Sequence, residues 1–288
     1  MRDLNYQLKQ LCIRNRDGSF STQKQREQQL NLIANQLHEL GFRKLKHTNI
    51  STKHVNHLVN HWVTTNLSAG TIKNRLSAVR WWAEKTNRQS ILPKDNAKLG
   101  VPNRVFVTNL DRSARLTSQA LEMVRDSHVK MSLQLQEAFG LRREEAIKFN
   151  ASYADRGHNL QLKGSWTKGG KPREIPIRTA EQRDLINRVK SLTGNGSLIP
   201  SNRNYIQQLR IYERHTSTAG LSKMHGLRHA YAQQRYEELT GWKSPASGGP
   251  SNRLLNDSDK KLDFEARITI SGELGHEREQ ITSVYLGR

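Results

Sequence analysis

One short stretch constrains this chain more than any other: Ser271-Gly-Glu-Leu-Gly-His276, followed nine residues after the histidine by Tyr285. Upstream lies Met224-His-Gly-Leu-Arg-His229. A tyrosine hydroxyl is a nucleophile only when something withdraws charge from the group it attacks. For a phosphodiester, cations and hydrogen-bond donors do this. His225, Arg228, His229 and His276 are the right chemical kinds, so the rest of the chain is read as what brings them to Tyr285.

Charge supports a phosphate-bearing partner. Forty-seven Lys and Arg stand against 26 Asp and Glu, a formal net charge of +21. A surplus of that size and sign points first to nucleic acid. It is spread along the chain rather than confined to a tail, as expected of a surface that embraces its ligand. The length allows two domains with their own cores. A single cysteine, Cys12, excludes an internal disulfide framework and fits a reducing cytoplasm. No apolar run is long enough to span a bilayer, and the N-terminus has no signal-peptide core.

Three helical patterns are expected in residues 1–90. The first runs from about Thr22 to Leu40, with Leu30, Ile33, Leu37 and Leu40 at helical spacing and Gly41 as its stop. The second begins near Ser51 or Thr52 and carries Val55, Leu58, Val59 and Trp62. The third, Ser68 to Ala83, has Ile72, Leu76, Val79 and Ala83 on one face and Lys73, Arg75 and Arg80 off it. Periodicity fails from 87 to 114, and residues 91–114 read as a linker. Residues 115–288 mix patterns. A buried helix leads into Arg142-Arg-Glu-Glu-Ala-Ile147. Leu160-Gln-Leu162 and Glu174-Ile-Pro-Ile177 alternate like strands around a basic, glycine-rich turn at 163–171. Helices are expected near 180–192, 204–218 and 225–239, and residues 241–260 read as an exposed loop or insertion.

The Gly164–Lys171 turn is not a P-loop, because its glycines and lysine do not fit that spacing. His54, His57 and His61 share a helical face without cysteine or carboxylate at matching spacing, so no metal is expected. Arg142 follows Gly140-Leu141 and precedes Glu145 at i+3, which alone reads as an ordinary helical ion pair.

Taken in order, these segments resemble the tyrosine recombinases, the phage-type integrases. Gly140-Leu-Arg-x-x-Glu145 resembles the family's first arginine box. Thr167-Lys-Gly169 with Arg173-Glu-Ile-Pro176 resembles its hairpin lysine segment. His225-Gly-Leu-Arg-His229 resembles its second box, and Leu274-Gly-His276 with Tyr285 its third. Thr71 to Trp82 resembles the third helix of the family's N-terminal core-binding domain. Three features depart from the pattern: Phe139 stands at a common threonine position, His225 and His276 are unusually far apart, and few residues follow Tyr285.

The resemblance implies a mainly α fold with a small β-sheet. A helical core-binding domain at 1–90 would join a mixed α/β catalytic domain at 115–288, closing as a clamp around DNA, with an insertion at about 241–266. It implies a catalytic set of Arg142, Lys168, His225, Arg228, His276 and Tyr285, supported by Glu145, His229 and Gly275. Tyr285 would form a 3′-phosphotyrosyl link, the two arginines would bind nonbridging oxygens, and Lys168 would protonate the leaving 5′-oxygen. His225 would accept the tyrosine proton and His276 would donate to the phosphate. Lys73, Arg75, Arg80 and Lys171 are the expected DNA contacts. The reaction needs no cofactor or metal. The expected partners are double-stranded DNA, three further copies in a homo-tetramer on paired sites, and an accessory DNA-bending or directionality factor, in a bacterial cytoplasm and on its nucleoid. The function implied is integration or excision of a mobile element. Alternatives are a DNA-relaxing enzyme of the type IB topoisomerase kind and a DNA-binding factor without strand exchange. The insertion is expected to dock on a neighbouring protomer or on DNA.

Overall fold

Helical periodicity in the N-terminal part of the chain becomes four α-helices, one more than the apolar spacing predicts: α1 (Asp3–Arg14), α2 (Phe20–Glu39), α3 (Thr52–Thr64) and α4 (Ala69–Lys85). The structure, a computed structural model, describes residues 2–276 and 278–288. Met1 and, within the Ser271–Tyr285 stretch, Glu277 lie outside the described residues. The chain divides into two compact units, the first ending at Val105 and the second beginning at Phe106.

In the first unit each helix buries one stripe. Leu4, Leu8 and Leu11 of α1 join Leu30, Ile33 and Leu37 of α2, Val55, Leu58 and Trp62 of α3, and Ile72, Leu76, Val79 and Trp82 of α4 in one core. Ser19 and Ser68 cap α2 and α4 by accepting from the backbone N–H of Thr22 and Thr71. Helix α1 escapes the sequence reading because its stripe is one leucine per turn in an otherwise polar segment. Asn5 fixes it to α2, donating to Asn31 Oδ1 at 2.6 Å and Asn35 Oδ1 at 3.0 Å. The His54 ring serves the start of α3, where its Nδ1 accepts from Ser51 N–H at 3.0 Å. Past α4 the chain makes short 3-10 turns, and Ile91, Leu92 and Val101 are buried in this same core.

The second unit begins with irregular chain and then α5 (Ser118–Met123), α6 (Ser127–Phe139), α7 (Arg143–Ile147) and α8 (Ala151–Ala154). The strands β1 (Asn159–Leu162) and β2 (Arg173–Pro176) pair antiparallel, with Leu160 opposite Ile175 and Leu162 opposite Arg173. Helices α9 (Ala180–Thr193), α10 (Tyr205–Thr218), α11 (His225–Thr240), α12 (Asp257–Glu273) and α13 (Glu279–Leu286) complete it. Phe139 is fully buried with Leu135, Leu141, Tyr231 and Leu274, which accounts for an aromatic residue beside Gly140.

The 241–266 region departs from expectation. Its second half is the beginning of the long helix α12, capped by Asn256 Oδ1 on Asp259 N–H. Asp263 and Arg267 of α12 are buried and paired at 2.8 Å. The Gly/Ser/Pro part is packed too. Ser244 is fully buried, and a Cβ on Gly249 would overlap the Lys243 carbonyl. Composition marked the turns correctly but carries no sign of whether a turn packs.

Candidate active site

Three short segments of the second unit converge on Tyr285. Helix α6 ends at Gly140 with φ +61°, a left-handed conformation, and a Cβ there would lie 2.6 Å from the Tyr231 ring. The turn delivers Arg142 to the N-cap of α7. Glu145, one turn on, returns to accept from Arg142 N–H at 2.7 Å and Nη1 at 2.8 Å. Helix α11 begins with His225, and its 3.6-residue period brings Arg228 and His229 to the same side. Helix α12 ends by reversing at Gly275, φ +68°, which turns His276 back toward α13 and Tyr285.

Arg228 is the hub. It is 1% exposed, and every nitrogen of its guanidinium has a partner. Nε donates to the Tyr285 hydroxyl at 3.2 Å, Nη1 to the Gly140 carbonyl at 2.5 Å, and Nη2 to the Leu274 carbonyl. His276 Nε2 stands 3.4 Å from Arg228 Nη2, 3.5 Å from Arg142 Nη2 and 3.4 Å from the Tyr285 hydroxyl. A ring nitrogen facing two guanidinium groups is an acceptor, so His276 carries its proton on Nδ1. The His229 ring lies 4.7 Å and the His225 ring 5.9 Å from the Tyr285 ring, centroid to centroid.

Burial and crowded positive charge set the protonation states. Desolvation, then the charges of Arg228, Arg142 and Arg173, push His276 down to about 4. Desolvation and the neighbouring His225 and Arg112 bring His229 to about 4 as well. His225 is lowered by desolvation and by Arg228 and Arg142. Desolvation lowers Arg228 itself to about 10, which leaves it charged at neutral pH. For Glu145 burial works upward, but hydrogen bonds and charge from Arg173, with Arg228 and Arg142, win and hold the carboxyl at about 2. All three histidines are therefore neutral around a cationic floor.

Lys168 sits exposed on the hairpin turn. With Lys171, Arg142, Arg173, Gly275 and His276 it lines a cleft of about 500 Å³ that opens beside the buried cluster. Of the expected DNA contacts, Lys73, Arg75 and Arg80 belong to the first unit. The Arg80 guanidinium donates to the Pro93 carbonyl at 3.0 Å and Asn96 Oδ1 at 2.6 Å. Arg75 lies over the Trp62 ring at 5.5 Å, with Nε and Nη1 buried. Lys73 reaches Asn103 Oδ1 only at 3.5 Å.

Sequence reasoning overlooked Arg173 as a site residue. It clamps the buried Glu145 carboxylate with both Nη atoms, at 2.8 and 2.7 Å. The available signal was strand alternation, since Arg173 shares a face with the buried Ile175. A second polar group was also missed. Behind the site Tyr231 donates to Glu273 at 2.7 Å, and Glu273 also takes Arg235 at 3.0 Å.

Known proteins resemble the chain in both units. The family model described as phage integrase, N-terminal, matches residues 1–91, and the integrase model matches residues 107–234. The second match takes in Arg142, Lys168, His225 and Arg228 and ends before His276 and Tyr285. A lambda integrase dimer bound to a COC′ core site superposes with a TM-score of 0.61 at 15% identity, covering 98% of this chain and 76% of that one. XerH site-specific recombinase in a pre-cleavage complex with difH gives 0.57 at 16% identity, covering 98% and 80%. The Tn1549 transposon integrase in complex with circular intermediate DNA gives 0.56 at 12% identity, covering 100% and 96%. At these identities the likeness is one of fold. No curated protein sequence matches the chain.

Proposed function

Because the chain belongs to the phage-integrase family of tyrosine recombinases, we propose that it is a site-specific DNA recombinase that integrates or excises a mobile element. The observation that carries the reading is the seating of the Tyr285 hydroxyl, 3.2 Å from Arg228 Nε and 3.4 Å from His276 Nε2. A buried phenol held between a guanidinium and a neutral imidazole is a nucleophile with a charge sink and a proton acceptor already in place.

In this reading the Tyr285 oxygen attacks a DNA phosphorus, forming the O–P bond of a 3′-phosphotyrosyl ester while the bond to the 5′-oxygen breaks. Arg142 and Arg228 donate to the nonbridging oxygens as their charge grows. Lys168, on the exposed hairpin turn, supplies the proton that the leaving 5′-oxygen needs. His276 is the histidine placed to take the tyrosine proton, because its Nε2 stands 3.4 Å from the Tyr285 hydroxyl, whereas His225 faces Tyr285 ring to ring at 5.9 Å between centroids. The arriving phosphodiester offsets the arginines and draws the His276 pKa upward into a useful range. Once protonated, the same Nε2–H donates to the phosphate. The ester conserves the bond energy, so a second strand's 5′-hydroxyl reverses the attack and exchanges partners without a nucleotide cofactor.

Strand exchange on two duplexes calls for four copies. The lambda integrase assemblies of similar fold are a dimer on a core site and a tetramer on a Holliday junction. Among the described residues no helix is long and apolar enough to cross a membrane. The test uses DNA flanking the gene, searched for paired inverted arms and offered as a nicked suicide duplex. A protein–DNA adduct on a denaturing gel, absent with Tyr285→Phe, supports the reading, and recombinant product from two intact duplexes separates exchange from simple relaxation. Specific binding with no adduct from wild type overturns it.

A further inference from the structure

We propose that Arg173 is a positioning residue that locks the base of the β1–β2 hairpin to the Glu145–Arg142 pair and to the Gly275–His276 turn, so that the hairpin turn moves from a fixed pivot. The inference rests on the function proposed above and adds to it a residue outside the phosphate-binding set.

Four observations carry it. Arg173 is nearly buried, at 6% side-chain exposure, and its partner Glu145 is more so at 1%. Every guanidinium nitrogen is engaged inside the protein, Nη1 and Nη2 on the two Glu145 oxygens and Nε on the Glu273 carbonyl at 2.9 Å. It therefore presents a wall, not a free fork, to the cleft it lines. The same Glu145 oxygens hold Arg142 through its backbone N–H and Nη1, so one carboxylate orients both arginines. The Arg173 side chain also packs against the reversal at Gly275, where a Cβ would come within 2.9 Å of its Cδ.

Position on the hairpin gives this clamp its consequence. Arg173 pairs with Leu162 as the last rung of the ladder before the turn that carries Lys168. Below that rung the strands are fixed by Leu160 and Ile175 in the core. Above it lie ten residues, 163–172; Trp166 among them returns to the core against Phe149 and Tyr153, and Lys168, two residues further on, is exposed. The clamp thus fixes one end of the segment that carries Lys168, Trp166 fixes the other, and the two together set the arc available to Lys168. A two-point, charge-assisted contact inside the protein is the kind that fixes such a geometry.

The test compares Arg173→Gln and Arg173→Lys with wild type in three measurements. The first needs no DNA: the His276 ring is titrated by NMR in the free protein. The groups facing that ring are Arg142 and Glu145 from the α7 turn, Arg228 from α11, Tyr285 from α13 and Arg173 itself. Removing the Arg173 charge raises the titration midpoint in Arg173→Gln and leaves it near wild type in Arg173→Lys. The second is single-turnover cleavage. Arg173→Gln is expected to cleave on the order of a hundredfold more slowly at unchanged DNA affinity, the scale for misplacing a reacting group by about an ångström. Arg173→Lys, which keeps the charge but not the fork, recovers only part of the rate. A folded Arg173→Gln with wild-type midpoint and wild-type cleavage overturns the proposal, as does affinity falling in step with rate. If Arg173→Gln does not fold, a wild-type cleavage rate in Arg173→Lys overturns it. Failure of wild type to form any adduct strikes the proposed function, while hydrogen exchange at the backbone amides of residues 162–174, which needs no DNA, still judges the clamp: unchanged protection in both Arg173 variants overturns it.

Discussion

Asn109 and Arg288 pair through a side-chain amide and a backbone: Asn109 Oδ1 accepts from Arg288 N–H at 2.8 Å, and Nδ2 donates to the Arg288 carbonyl at 3.0 Å. The neighbouring Gly287 carbonyl takes Arg267 Nη1 at 3.0 Å. A Cβ on Gly287 would meet Asn109 Oδ1 and the Ala246 backbone at 2.7 and 2.8 Å. The residues just after Tyr285 thus occupy a seat built from three distant parts of the second unit.

Asn109→Ala removes both amide bonds and should cost about 1–2 kcal/mol in unfolding free energy. Asn109 has φ +50°, so Asn109→Gly serves as a companion that tolerates the backbone. Hydrogen exchange at the amides of 283–288 should accelerate in both variants. Unchanged protection would mean that Arg267 and the Ala246 turn suffice.

Arg142→Ala should slow adduct formation by on the order of a hundredfold, the scale for losing one preorganised donor to a developing oxyanion. DNA affinity should move far less, because many other cations share the phosphates. Equal losses in rate and affinity would make Arg142 a docking residue instead.

Gly140→Ala should destabilise the second unit by about 2–4 kcal/mol, combining left-handed backbone strain with overpacking against Tyr231. Thermal unfolding reads it directly. Tyr231→Phe removes no ring atom from the contact, so it should not relieve the overlap, whereas Tyr231→Leu should recover part of the loss.

Stability should fall on acidification in two stages. His229 and His276 have folded pKa values of about 4 against an ordinary 6.5. The unfolded chain therefore binds more protons between those values, and stability is lost as pH falls through that window. Glu145, at about 2 against 4.5, extends the loss below pH 4.5. The His229→Gln variant should flatten the upper stage in a series of thermal midpoints; an unaltered profile would place the proton uptake elsewhere.

Arg80 and Lys73 should separate by function. Arg80 is tied to the 93–96 turn, so Arg80→Ala should lower stability with little effect on the salt dependence of DNA binding. Lys73→Ala should leave stability within about 0.5 kcal/mol. If Lys73 contacts a phosphate, the log–log salt slope becomes shallower by about 0.9.

Much of this architecture is legible in the sequence because it is periodic. Helices α2, α3 and α4 follow from leucine and tryptophan spacing, and the hairpin follows from Leu160, Leu162 and Ile175. Helix α1 and the start of α12 were harder, since α1 shows one leucine per turn and α12 opens with Asp257-Ser-Asp-Lys-Lys261, which reads as solvent-facing chain. Order along the chain grouped Arg142, Arg228, His276 and Tyr285. What order does not encode is which cation serves which partner. The Glu145 carboxylate is shared by Arg142 three residues away and Arg173 twenty-eight away, and no period connects the second pair.

The internal satisfaction of Arg228 bears on where affinity originates. Its donors already rest on Gly140, Leu274 and Tyr285 before any DNA arrives. In the proposed reaction a scissile phosphate meets an Arg228 with three of its five N–H donors already committed, so the ground state gains less free energy there than from a free guanidinium. The full strength of the guanidinium is felt only when the phosphorane-like charge develops. Under the proposed reaction, choice of the target site then falls to surfaces remote from Tyr285, since a centre that holds its own arginine in place reads little of the base sequence beside the phosphate.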